Sequence, residues 1–318
     1  LAERFPLVEA SERNFKGGNV KKIIGLLLLF ALLFGCTNSK KDKLIIGIIK
    51  PSLNHLTFDF GLATDFLNRD DFVIKNFASG WETNEALISG KIDVAILPFT
   101  YAWLDVSNGK KVKIISFLER ESDGIIANPS IKTLDQLQGK KLGVLRASTL
   151  DIFAELMTEE RNLDMEFIYF RTPMDMATAL KTGEVDALSF YVPSIFKFNS
   201  DYNIVHWYGD DYPLHTCCNI TATENAINSK SEMIKKFLIG LYTATDELNK
   251  SPDTAYKAVE EFYELYPPYS KQSLYHTKYV MGLDENMKEF EMKTYNKMIE
   301  KGYAVNPVKP ENVYYKIK

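Results

Sequence analysis

The sequence predicts an α/β protein built as two lobes around mainly parallel sheets, and two patterns in it carry that expectation. Short apolar runs alternate with segments whose apolar residues recur at helical spacing. Such alternation builds parallel sheets covered by helices on both faces. The second pattern is an internal echo: Ala86-Leu87-Ile88-Ser89-Gly90-Lys91-Ile92-Asp93 is matched by Ala179-Leu180-Lys181-Thr182-Gly183-Glu184-Val185-Asp186. Helix, stop glycine and strand thus occur twice in the same order. Two equivalent lobes imply a cleft between them, the usual home of a small ligand.

Taken in order, the chain opens with a targeting pattern. Lys21-Lys22 precede an apolar run from Ile23 to Phe34, and Gly35-Cys36 follow. The run is too short to span a bilayer but suits a signal peptide. Leu33-Phe34-Gly35-Cys36 resembles a lipobox, which makes Cys36 the lipidated first residue of the mature chain and Thr37 to Lys43 its polar tether. Residues 1–19 fit neither region and are set aside.

Lys43 to Ile49 reads as the first strand, and Phe58, Leu62, Phe66 and Leu67 follow at helical spacing. Phe72 to Ile74 is a strand, Ser79-Gly80-Trp81 leads into a helix ending at Gly90, and Ile92 to Leu97 is the next strand, broken by Pro98. Phe99-Thr100-Tyr101 opens another helix, and Val112 to Phe117 is a fourth strand. Ligands of such sheets sit at the carboxyl ends of the strands. That rule selects Pro51 to His55, Ser79 to Trp81, and Pro98 to Tyr101.

In the second half of the fold Ile125 to Asn128 is a strand and Thr133-Leu134-Asp135-Gln136 carries a capping-box start. Leu142 to Arg146 then runs straight into Ala147-Ser148-Thr149 and a helical pattern from Asp151. A strand delivered into a helix N-terminus gathers hydroxyls and backbone N–H groups, a ready site for an anionic or hydrogen-bond-accepting ligand; a plain N-cap is the commoner use of Ser148. Met165 to Phe170, Glu184 to Phe190 and Asn203 to Trp207 are further strands, and Thr172-Pro173 starts the helix between the first two.

Thr216 to Ile220 reads as a strand crossing back to the first lobe. From Ser231 the pattern is helical, with Asp284 capping a last helix that stops at Gly302; these helices are expected to cover the first lobe and steady the hinge. Cys217 and Cys218 are adjacent, read as small buried thiols rather than a disulfide. His215 is the one base near enough to keep a catalytic cysteine open.

Composition narrows the function. The net charge of −4 and the absence of a long basic block exclude nucleic acid as an expected partner. The four His are scattered and no Cys/His spacing resembles a metal site, so neither metal nor cofactor is expected. Hydrophobic content of 46% and charged content of 25% are those of a globular protein, and 318 residues suffice for two domains.

Three segments together resemble the nitrate/sulfonate/taurine and thiamin-pyrimidine group of ABC-transporter solute-binding proteins. They are Ser79-Gly80 through Asp93, Ile131-Lys132-Thr133-Leu134-Asp135-Gln136-Leu137-Gln138-Gly139-Lys140-Lys141-Leu142-Gly143-Val144, and Met176 through Ala187. The resemblance implies a periplasmic-binding-protein type II fold: two Rossmann-like lobes with parallel-rich mixed sheets, two crossover segments and a ligand cleft between the lobes. It places residues 44–123 and 216–318 in lobe 1 and 124–215 in lobe 2, after an extension and signal peptide over 1–36 and a tether over 37–43. The candidate ligand residues are Asn54, His55, Ser79, Gly80, Trp81, Phe99, Thr100, Tyr101, Arg146, Ala147, Ser148, Thr149 and Tyr191. Family members often carry Gly-Ser or Ser-Thr after the strand that Leu142 to Arg146 forms; Ala147-Ser148-Thr149 keeps the hydroxyls and loses the glycine. The aromatic residues among the candidates favour a planar ligand of pyrimidine type, with a sulfonate or nitrate as the other choice. The implied protein is a monomeric, non-enzymatic lipoprotein of the cell envelope, anchored to the membrane and delivering its solute to an ABC permease. The alternative is an enzyme on the same fold, acting on a small metabolite in menaquinone or thiamin-precursor synthesis. Cys217-Cys218-Asn219 does not reproduce the cysteine-rich motif of the yeast-type pyrimidine synthase.

Overall fold

Two β-sheets organise the computed structural model, which describes residues 42–50, 52–260 and 269–317. Cys36, the signal peptide and most of the tether lie outside the described residues. In chain order the strands are β1 (Leu44–Ile49), β2 (Phe72–Phe77), β3 (Val94–Pro98), β4 (Val112–Arg120), β5 (Asp123–Ala127), β6 (Lys141–Leu145), β7 (Glu166–Phe170), β8 (Ala187–Tyr191), β9 (Asn203–Trp207), β10 (Cys218–Thr223) and β11 (Lys278–Gly282). The first sheet runs β11-β4-β10-β3-β1-β2 and the second β7-β6-β8-β5-β9.

Each sheet has a parallel half built by strand–helix alternation. β1 lies parallel between β2 and β3, and β6 lies parallel between β7 and β8. The other halves are antiparallel: β10 pairs with β3 and β4, β11 with β4, and β5 with β8 and β9. The sheets are therefore mixed rather than mainly parallel. Chain that leaves one lobe for the other has no helix to turn it round and enters its new sheet reversed.

The crossovers are short and lie side by side. β4 ends at Arg120 and β5 begins at Asp123, with Glu121 in the left-handed region at φ 56°. The returning segment pairs with it at Arg120 and Thr216; the Cys217 N–H donates to the Glu119 carbonyl at 3.0 Å and the Glu121 N–H to the His215 carbonyl at 3.3 Å. A two-stranded ribbon thus links the lobes.

The helix Ser231–Lys250 covers the first lobe as expected, its Phe237 meeting Phe58 and Phe72 edge-on at 5.9 and 5.8 Å. The helix Glu285–Glu300 does more than cover that lobe. Its Tyr295 stacks on Trp103 at 5.0 Å, while Lys293 and Lys297 pair with Glu160 and Glu159 on the second-lobe helix Thr149–Arg161. One apolar cluster accordingly runs through both lobes, taking in Trp103 and Phe117, then Leu142 and Phe153, then Tyr295 and Met298. At its centre Glu291, fully buried, accepts hydrogen bonds from Trp103 Nε1, Thr216 Oγ1, Asn219 Nδ2 and Tyr314 OH. Burial still pushes its carboxyl pKa upward, against the four hydrogen bonds that oppose the shift.

β11 interrupts the stretch read as wholly helical. Tyr279 is buried within it, its hydroxyl donating to the Leu53 carbonyl at 2.7 Å, while its neighbours Lys278 and Val280 face outward. Among the described residues no helix is long and apolar enough to cross a membrane.

Candidate functional site

A cavity of about 40 Å³ lies at the crossovers, lined from the strand ends of both sheets. Asn54, Ser79, Gly80, Tyr101, Ser148, Thr149 and Tyr191 line it, joined by Ser52, Glu119, Ser122, Asp123, Cys217 and Cys218, among others. A wider opening of about 420 Å³ shares Tyr101 and Leu145 with it and is lined also by Trp81, Arg146 and Ala147. The sequence candidates thus separate into an inner and an outer group.

Three candidates reach neither space. His55 is fully buried, with Nδ1 2.8 Å from Asn54 Oδ1 and Nε2 3.3 Å from Asp59 Oδ2. Phe99 packs beside Phe153 at 6.4 Å in the shared core, and Thr100 is fully buried. The helix Phe99–Ser107 begins directly after Pro98, and its first residues turn inward before Tyr101 comes round to the cavity wall.

The local conformations follow from the sequence. Ser79 caps its helix by accepting the Glu82 N–H at 3.2 Å, while Glu82 Oε2 accepts the Ala78 N–H. Gly80 is required by close approach: a Cβ there would lie 2.8 Å from Tyr101 Cε2. Ser148 stands at the N-cap of its helix, yet its hydroxyl donates back to the Leu145 carbonyl at 2.6 Å. Asp151 closes that terminus instead, its Oδ2 accepting the N–H of Ala147, which is in the left-handed region. The helix end read from sequence as an anion site already holds a carboxyl group. Thr149 Oγ1 and Cys217 Sγ, 3.5 Å apart, join that helix to the returning crossover.

Burial dominates the electrostatics. It pushes Glu119 up to about 8, reinforced by the charge of Asp123 and opposed by hydrogen bonds from Cys218 and Ser122. It raises Asp151 to about 6, against the Ala147 hydrogen bond. Cys218 is pushed up to about 11 by burial, and Cys217 upward by its hydrogen bond to Cys218 and by burial. Both are held as thiols, and His215 is turned from them, Nδ1 lying 2.9 Å from the Tyr212 carbonyl oxygen and Nε2 3.8 Å from Asp123. That arrangement does not activate a nucleophilic cysteine.

Glu119, Cys217 and Cys218 hold their donor atoms within 4.8 Å of one another, the one group among the described residues with metal-ligand spacing. An ion there has to displace protons that burial retains. No Lys, Arg or His lines the inner cavity. Arg120 turns away to Asp284 at 2.9 Å and to the Phe117 ring.

Glu119, Asp123, Cys217 and Cys218 also line the cavity, though none stands among the candidates that the strand-end rule selects. Their signal was the run Glu119-Arg120-Glu121-Ser122-Asp123, a charged cluster between two otherwise apolar strands. Its place beside Cys217 and Cys218 depends on two crossovers far apart in sequence.

Two α/β lobes on a paired crossover, with a cavity between their strand ends, define the periplasmic-binding-protein fold. The NMT1/THI5-like family profile matches residues 71–255, and the chain belongs to that family. The structure is similar to the periplasmic aliphatic sulphonate binding protein SsuA of Escherichia coli, with 18% identity and a TM-score of 0.73 over 87% of this chain and 93% of that one. It is also similar to the alkanesulfonate-binding protein SsuA of Xanthomonas axonopodis pv. citri bound to MOPS, at 16% identity and TM-score 0.72, covering 86% and 98%. The periplasmic nitrate-binding protein NrtA of Synechocystis PCC 6803 aligns with TM-score 0.69 and 13% identity over 85% and 83%. These relatives are binding proteins. A search of curated protein sequences gives no match.

Proposed function

We propose that the chain is the solute-binding component of an ABC importer, tethered through a lipid on Cys36, and that it captures a small organic base of aminopyrimidine type. One observation carries the choice of ligand: Glu119 and Asp123, 2% and 1% exposed, line an inner cavity without a cationic side chain. Glu119, neutral up to about pH 8, can donate to a ring nitrogen while its other oxygen accepts from an amino group. A sulfonate or nitrate instead brings a negative charge among carboxyl groups in a poorly solvated site with no cationic side chain to meet it. Tyr101 and Tyr191 offer aromatic walls, and the Asn54 amide and Ser122 hydroxyl further polar contacts.

At about 40 Å³ the inner cavity has room only for water-sized molecules. Solute entry therefore requires the lobes to part about the crossover ribbon and close again, a hinge motion that lets a permease distinguish loaded from empty protein.

Thermal denaturation of the purified chain with 4-aminopyrimidines, alkanesulfonates and nitrate tests the ligand class. An aminopyrimidine should raise Tm, because a ligand that binds only the folded state stabilises it. Stabilisation by sulfonates or nitrate alone overturns the reading. Cys36→Ser should abolish membrane retention of the full chain; retention with normal processing overturns the lipid anchor.

A further inference from the structure

We infer that the mouth of the cleft is a second, anion-binding subsite, so that the ligand is amphoteric: an N–H-donating ring held deep, and a carboxylate, sulfonate or phosphate group held outside by Arg146 and Arg171. This rests on the base reading of the inner cavity and adds to it the part of the ligand that faces solvent.

The two arginines are brought together by strand register. β6 and β7 are parallel and pair Leu145 with Phe170, so Arg146 and Arg171, each one residue beyond, emerge side by side. The Arg146 N–H donates to the Phe170 carbonyl at 3.3 Å, which fixes the juxtaposition. Two like charges set together repel unless something neutralises them. Arg120 and Arg161 are paired with Asp284 and Asp211, whereas among the described residues neither Arg146 nor Arg171 has a carboxylate in ion-pairing range.

Arg146 is also held in place. Its guanidinium carbon lies 5.5 Å from the ring centre of Tyr303 and 6.0 Å from that of Tyr169, within cation–π range of both rings, which bias the planar group toward the opening. A guanidinium held near two rings keeps its planar fork available for the oxygen pair of an anion. The space it faces, about 420 Å³, falls in the size range of ligand sites, and both lobes line it, Trp81 and Tyr101 from the first and the arginines from the second. Trp81 is 53% exposed there, a flat apolar surface open to a ligand. Because Tyr101 and Leu145 line both spaces, one molecule can reach both once the lobes part far enough to admit a ring, its ring among the acids and its charge among the arginines.

Calorimetric titration of the purified chain, with and without Arg146→Gln plus Arg171→Gln, tests this with three probes: 4-amino-5-(hydroxymethyl)pyrimidine, its phosphate monoester, and 4-aminopyrimidine-5-carboxylate. The anionic probes should bind about tenfold or more tighter than the neutral one. That advantage should shrink with added salt and vanish in the double variant. Equal binding of neutral and anionic probes, or an advantage that survives the double substitution, overturns the outer subsite and leaves the inner one standing. Failure of all three probes to bind overturns the base reading and the amphoteric ligand with it. Phosphate over carboxylate, or the reverse, identifies which anion the arginines select.

Discussion

Asp151 Oδ2 accepts the Ala147 N–H at 2.7 Å, so the helix Thr149–Arg161 is closed by a residue of its own first turn. Asp151→Ala should lower stability by about 1–2 kcal/mol, as loss of a helix-terminal acceptor does. Asp151→Asn keeps an acceptor oxygen and should recover most of that loss. Denaturant midpoints of the three proteins check this; equal losses in both variants show that the charge, not the hydrogen bond, matters.

Glu119 should make stability fall with rising pH. Its folded-state value near 8 exceeds the ordinary 4.5, so the folded chain keeps a proton that the unfolded chain releases. Between those values the unfolded state binds fewer protons and gains with every rise in pH. Asp151 and Asp105, raised to about 6 and 7 by burial, act in the same direction. The contribution of Glu119 is isolated by comparing Tm against pH for the wild type and Glu119→Gln, which should show a flatter decline between about pH 5 and 8. Parallel profiles contradict the shift.

Gly80→Ala tests the wall of the cavity. Alanine favours a helix by about 1 kcal/mol over glycine. Its Cβ, however, would stand 2.8 Å from Tyr101 Cε2 and 3.3 Å from Pro98 Cδ, and the ring has to move. Overpacking of this kind costs about 1–3 kcal/mol, so the net change should be destabilising. Because Tyr101 lines both spaces, ligand affinity should fall as well. A stabilised variant with unchanged affinity shows the ring yielding freely.

Glu291→Ala removes the acceptor of four buried donors and should cost about 3–5 kcal/mol. Glu291→Gln keeps an acceptor oxygen but presents N–H groups to donors, and should cost less than the alanine change. Chemical denaturation ranks the two, and a loss within about 0.5 kcal/mol for alanine removes Glu291 from the centre of the shared core.

The features legible in the sequence were those encoded within a few residues. The Thr133–Gln136 capping box, the Thr172-Pro173 start, the stop at Gly183 and the Asp284 cap stand where the sequence puts them. So does the return of the chain to the first sheet after Thr216, as β10. Rotational phase was harder: Phe99, Thr100 and Tyr101 are consecutive, and only the third reaches the cavity. Ser148 offers both a cap and a ligand group, because nothing local shows that its hydroxyl turns back to Leu145 while Asp151 takes the Ala147 amide. The acids of the inner cavity were illegible for a different reason. Glu119 and Asp123 become cavity walls only when Cys217 and Cys218, remote in sequence, return alongside them.

The position of β10 governs the order in which this protein can be made. It lies between β3 and β4, yet residues 99–217 separate β3 from it along the chain. A nascent chain that has finished β4 therefore has its first sheet in two parts, each with an open edge facing the missing strand. Nothing made before Cys218 can close that gap. Contacts of such long range are slow to form, and unpaired edges recruit other chains. Chains truncated before Cys218 should aggregate rather than yield a working lobe, and the complete chain has a long interval in which a chaperone or export machinery can hold it unfolded.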